Sequence, residues 1–111
     1  MTNAPKVIVH EDRAALQAFL AARFIYRMVQ VVGEFDEANV VLTGGTVGIG
    51  VLETINALPE RDLAPWGQIH FWWGDERWLP RDDPERNELQ ARRALLDHVP
   101  VDESRGHAFA A

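Results

Sequence analysis

The chain has no cysteine among its 111 residues. Disulfides, thiolate metal sites and cysteine nucleophiles are thereby excluded. It has no basic surplus either. Seventeen acidic residues against 11 lysines and arginines leave a net charge of −6, the wrong sign for a nucleic-acid partner. Residues Met1 to Lys6 contain no apolar stretch of the secretory type. No uninterrupted apolar run approaches the ~20 residues that cross a bilayer, so no membrane partner is expected, and a reducing cytoplasm suits the composition. The four histidines, His10, His70, His98 and His107, show no metal-ligand spacing. There is no G-x-S-x-G elbow to present a serine nucleophile. A small anionic ligand stays compatible with an acidic protein, because a few backbone N–H groups and one arginine can hold a phosphate.

Apolar residues make up 47% of the chain and charged residues 25%, the balance of a globular protein. The length suits one domain, 1–111, with a modest core. No repeat, low-complexity tract or interdomain linker is visible. The β-branched run Val7-Ile8-Val9-His10 predicts a first strand. Asp12 is a helix N-cap, and Ala15, Leu16, Phe19, Leu20, Ile25, Met28, Val29 and Val32 recur at mostly helical spacing up to a stop at Gly33. Asn39 to Leu42 predicts a second strand covered on both faces. A helix then begins near Val47, buries Ile49, Leu52, Ile55 and Leu58, and ends at Pro59. Gln68 to Trp73 predicts a third strand. Asp83-Pro84 reads as N-cap and first helical residue of a helix to about Asp97, with Leu89, Leu95 and Leu96 inward. Alternating strands and helices imply an α/β fold with a mostly parallel sheet and right-handed crossovers. An outermost strand would leave an unpaired edge, which invites association.

Two strand ends carry the chemistry. Ile69-His70-Phe71-Trp72-Trp73 runs into Gly74-Asp75-Glu76-Arg77. Three charged residues at the end of an apolar strand belong at a cleft, since burying one without a partner costs several kcal/mol, and open α/β sheets bind ligands at strand carboxyl ends. Adjacent carboxylates on extended chain point opposite ways, so one of Asp75 and Glu76 faces the cleft and the other anchors the loop. Arg77 either pairs with a carboxylate or binds phosphate as a planar fork. The second end is Val40-Val41-Leu42 followed by Thr43-Gly44-Gly45-Thr46. Its glycines permit a sharp turn, and the next helix N-terminus would point N–H groups at an anion. The loop lacks the lysine and spacing of a Walker motif.

Arg81, Arg86, Arg92 and Arg93, interleaved with acids, read as a solvated helix face. Trp72 and Trp73 alternate and predict cover on both faces of their strand. His70 reads as a satisfied interlayer residue, and His98 and His107 as exposed. A sugar-stacking role for Trp78 has no support beyond its place in the loop.

The block Trp72-Trp73-Gly74-Asp75-Glu76-Arg77-Trp78-Leu79-Pro80, together with the 43–46 turn, Asp83-Pro84-Glu85-Arg86-Asn87 and Ala94-Leu95-Leu96-Asp97-His98-Val99-Pro100, closely resembles the 6-phosphogluconolactonase family in order and spacing. The resemblance covers this whole chain and the N-terminal half of the family pattern. It implies a Rossmann-like three-layer α/β/α fold with a mostly parallel sheet, in incomplete form, of the kind shared with glucosamine-6-phosphate deaminases. It implies hydrolysis of a phosphorylated sugar lactone, 6-phospho-D-glucono-1,5-lactone, in the pentose phosphate pathway, with no metal or organic cofactor. By resemblance, Thr43, Gly44, Gly45 and Thr46 hold the substrate phosphate. Asp75, Glu76 and Arg77 form the catalytic group, with Arg77 also on the anion and Asp75 facing the pocket. Asn87 lies at the pocket mouth. The family's catalytic histidine belongs to a G-x-D-G-H-type segment in its second half, and no stretch here matches it. Catalysis is therefore expected to need a C-terminal half, by pairing or self-association. The other readings are a non-catalytic phosphosugar-binding half and an amino-sugar-6-phosphate deaminase or isomerase. Arg77 after the acidic pair favours the lactonase over the deaminase.

Overall fold

The computed structural model describes residues 12–110. The strand expected at 7–10, and His10 with it, lie outside them. Helix α1 spans Arg13–Phe35. Asp12 caps it, accepting from the Ala15 N–H at 2.8 Å. Ala21, Ile25, Met28 and Val32 form its buried stripe, at spacings of four, three and four residues. The helix does not stop at Gly33. It ends where Asp36 takes a left-handed conformation at φ 67° and donates its N–H to the Val32 carbonyl, a state aspartate tolerates. One helical glycine costs about 1 kcal/mol, which the packing of Met28 and Val32 outweighs. Although no long apolar run was expected, α1 is long and apolar enough, by length and composition, to cross a membrane. Its buried stripe packs into the core, and Arg23 and Arg27 interrupt its outer surface.

Strand β1, Ala38–Leu42, leads into helix α2, Gly45–Ala57. The helix starts two residues before Val47. Leu52 and Ile55 are buried, and Ile49 and Leu58 pack against them. Pro59 opens a 3₁₀ segment, Pro59–Leu63, because proline fits a first helical position. Trp66 is buried between Phe24 of α1 and Phe71, with ring centroids 5.9 and 6.4 Å away. Its indole N–H donates to the Arg61 carbonyl at 2.9 Å. Strand β2 is Ile69–Trp73, helix α3 is Asn87–Ala94 and strand β3 is the short Gly106–His107.

The sheet order is β1-β2-β3, all parallel. Ala38 and Leu42 of β1 and Ile69, Phe71 and Trp73 of β2 are buried, and Trp66 ties α1 to that face. Asn39, Val41 and Trp72 point the other way and are exposed, Val41 by 63%. Neither β1 nor β2 is therefore covered on both faces among the described residues. The Rossmann-like parallel sheet with helices is as expected, while the described residues supply only one of the two helical layers.

Helix α3 departs most from expectation. Asp83 does not cap it. The Asp83 carboxylate accepts from the Glu85 N–H at 2.9 Å, and its carbonyl accepts from the Arg86 N–H at 3.0 Å. Residues 83–86 thus close a local turn, and the helix begins four residues after Asp83. It ends at Ala94, short of Asp97, and tightens into a 3₁₀ turn at Leu96–His98 around the buried Leu95 and Leu96.

Candidate active site

The two chemical strand ends emerge side by side. Leu42 and Trp73 are register partners, and the Gly74 N–H donates to the Leu42 carbonyl at 3.1 Å. The parallel direction sends both chains out of the same edge of the sheet, where α/β folds place ligands. At the first end, Gly44 is extended and Gly45 has φ 88°, a conformation that costs a non-glycine residue about 1 kcal/mol or more. No side chain caps α2, so its first-turn N–H groups are open to an acceptor.

At the second end, the two carboxylates separate. The Glu76 side chain is 4% exposed and turns inward onto α3. One oxygen accepts from the N–H groups of Asn87 at 2.7 Å and Arg77 at 2.8 Å, and the other from Glu88 at 2.8 Å. A carboxylate eleven residues upstream is therefore the cap of α3, where the dipole favours negative charge. Asp75 is exposed, and its carboxylate makes no hydrogen bond or ion pair among the described residues. The Asp75 carbonyl accepts from Asn87 Nδ2 at 3.3 Å. Asn87 also lies directly over Gly44, so closely that a Cβ on Gly44 would collide with its amide. Asn87 thus bridges the two strand ends.

Behind this bridge sits a buried ionic cluster. Arg86 is fully buried, against the expectation of a solvated face. It donates to Glu88 Oε1 at 3.1 Å, to the Phe109 carbonyl at 2.6 Å and to the Leu79 carbonyl at 3.4 Å, and lies 3.8 Å from Glu76. Arg92 is half-buried and pairs with Glu88 at 3.0 Å and Glu103 at 3.1 Å. Burial alone would push the Glu88 carboxyl up. Hydrogen bonds and charge from Arg92 and Arg86 outweigh it and hold the group below the ordinary glutamate value. Burial likewise works against charge on Arg92, but Glu103 and Glu88 raise its pKa. No local pattern marks Arg86, because its partners come from positions 76, 79, 88 and 109. Only Arg93, and Arg81 apart from a 3.6 Å contact with Glu88, keep the solvated character expected.

A cleft of about 300 Å³ opens between the two ends, lined by Gly45, Thr46, Ile49, Arg77, Glu85, Asn87 and Gln90. It brings together four of the residues expected from sequence. Glu85 and Gln90 were missed, since both look like ordinary polar residues of a charged segment. Thr43 and Gly44 face instead a larger groove of about 680 Å³ along β1, walled by Leu20, Phe24, Val40 and Ile55. That lining has no charged side chain, so the groove offers an anion nothing beyond the shared glycine turn. Asp75 lines neither space, and Trp78 is 95% exposed at the loop tip.

The described histidines lie elsewhere. His70 Nδ1 is 2.9 Å from His107 Nε2, and His70 Nε2 is 3.2 Å from Glu37 and 3.3 Å from Arg105. The Trp72 ring stacks on His107 at 3.9 Å. His107, expected to be exposed, is half-buried in β3. This cluster belongs to the uncovered face of the sheet.

A family model for glucosamine-6-phosphate isomerases/6-phosphogluconolactonase matches residues 11–111. The chain belongs to this family. Within it, the 6-phosphogluconolactonase of Streptomyces coelicolor is 46% identical over 111 residues, which are all of this chain and 42% of that protein. The solved 6-phosphogluconolactonase from Leishmania guyanensis superposes with a TM-score of 0.76 at 29% identity, over 96% of this chain and 39% of the other. That from Thermotoga maritima gives 0.74 at 26% identity, over 85% of this chain and 41% of the other. The chain thus spans about two fifths of the length of the relatives it matches.

Proposed function

We propose that this chain contributes the phosphosugar-binding strand ends of a 6-phosphogluconolactonase, which opens 6-phospho-D-glucono-1,5-lactone with water to give 6-phosphogluconate. The observation that carries the reading is the single cleft shared by the uncapped start of α2 at Gly45 and Thr46 and the guanidinium of Arg77. The 46% identical relative bears the same name. Backbone N–H groups and Arg77 would take the substrate phosphate or another anionic oxygen of the sugar. Binding energy at that point orients the lactone for attack. Glu76 acts by holding α3, and through it Asn87, against the glycine turn. Asp75 is exposed beside Arg77 and lines neither space, so no substrate contact is assigned to it.

Attack by water needs a general base, and the developing oxyanion needs donors. Neither His70, His98 nor His107 lines the cleft. The base is expected from a G-x-D-G-H-type segment, which this sequence does not contain, supplied by a C-terminal half. The reading carries with it a cytoplasmic location and a phosphorylated sugar lactone as the partner.

The test is a titration of the isotope-labelled chain with 6-phosphogluconate, beside an assay on fresh lactone. Shifts should gather at the Gly45 and Thr46 amides, and Arg77→Ala should weaken binding about tenfold or more. Turnover should fall short of a complete enzyme by about a hundredfold or more. Shifts confined to other surfaces would overturn the site, and full turnover would overturn the need for a second half. Turnover of glucosamine 6-phosphate in a parallel assay would favour the deaminase reading.

A further inference from the structure

The cleft that Arg77 lines is not electrostatically empty. Arg77 Nη1 lies 3.2 Å from Glu85 Oε2, and both residues line the same space as Gly45 and Thr46. Arg77 has no other ion-pair partner among the described residues. The two side chains are 62% and 66% exposed, so their pairing is weak and readily exchanged. The backbone beneath Glu85 is held firmly. Its N–H donates to Asp83, and the next residue is the fully buried Arg86. Thus Glu85 is an exposed carboxylate on a hydrogen-bonded backbone, paired with the cation that the described residues bring to the cleft.

We infer that Glu85 is an internal counter-anion for Arg77, and that an anionic sugar phosphate enters by taking the place of the Glu85 carboxylate on the guanidinium. This rests on the phosphosugar reading of the cleft and adds a specificity element to it. A neutral sugar gains nothing by displacing Glu85, whereas a phosphate supplies more charge and more acceptor oxygens in the same fork geometry. Glu85 then sets a threshold that weakly charged ligands fail to cross. It acts through Arg77 and repels like charge, without bonding to the sugar.

The experiment is a double-mutant cycle on the whole chain, with 6-phosphogluconate and inorganic phosphate as probes and glucose as the neutral control. Wild type, Glu85→Gln, Arg77→Gln and the double variant are titrated at low and high salt, following the Gly45 and Thr46 amides. Glu85→Gln should tighten both anions about two- to fivefold, with a smaller gain in the Arg77→Gln background. The gain should shrink as salt rises, and glucose should show none of it. A merely structural Glu85 would weaken binding when changed, with no dependence on Arg77. Unchanged or weaker anion binding in Glu85→Gln, while Arg77→Gln still impairs wild-type binding, overturns the counter-anion role and leaves the site standing. Absence of anion binding at these amides in all four chains overturns the site and the exchange together.

Discussion

Gly44 and Gly33 are both glycines, and their surroundings give them opposite roles. A Cβ at Gly44 would collide with the Asn87 amide, whereas one at Gly33 would meet nothing within 4 Å. Asn87 has little room to yield, being buried and tied through its own N–H to Glu76. Gly44→Ala should therefore destabilise the chain by about 1–3 kcal/mol through overpacking. Gly33→Ala, inside a helix, should stabilise it by about 0.5–1 kcal/mol. Urea midpoints of the two variants check the pair, and equal effects would show that the Asn87 contact has no consequence. The need for glycine at the 43–46 turn was legible from the strand-to-helix transition. Which glycine takes the positive φ and which serves packing was not, because Asn87 is more than forty residues away in sequence.

At the scale of elements, α3 shows how a distant group overrides a local signal. Asp83-Pro84 has the composition of a helix start, yet Asp83 spends its carboxylate on the Glu85 N–H. The helix begins instead where Glu76 reaches the N–H groups of Asn87 and Glu88. Glu76→Gln keeps one oxygen and turns an amide NH₂ toward a donor, while leaving Arg86 short of a negative neighbour. It should cost about 3 kcal/mol. Hydrogen exchange should localise the loss to the Asn87 and Glu88 amides, and unchanged protection there would refute the remote cap. Periodic segments were readable to within a few residues: α1 from its apolar stripe, and β1 and β2 from their branched and aromatic runs. The ends of α1 and α3 were not, since Asp36 and Glu76 decide them through backbone conformation and long-range hydrogen bonds.

Across the whole molecule, the buried ionic cluster links stability to pH. The folded state holds the Glu88 pKa below its unfolded value, near 4.3 for an ordinary glutamate. Its contribution is complete above that value and disappears as pH falls through the depressed folded pKa. Glu88→Gln should accordingly be less stable than wild type at pH 7, and the difference should narrow as the solution is acidified below the ordinary glutamate range. Denaturation midpoints across that range measure it, and a gap that stays constant would remove Glu88 from the acid response. The parallel α/β architecture was plain from alternating elements, but the cluster was not, because burial of Arg86 depends on the Phe109 carbonyl, 23 residues further along the chain. The alignment of Leu42 with Trp73 has a last consequence, for how such a chain can diverge. It works as a ruler: an added residue in either strand would carry its loop about 3.3 Å along the sheet and turn every later side chain to the opposite face. Changes in length are ruinous within the two strands, so drift in ligand preference has to come by exchanging side chains around a fixed frame.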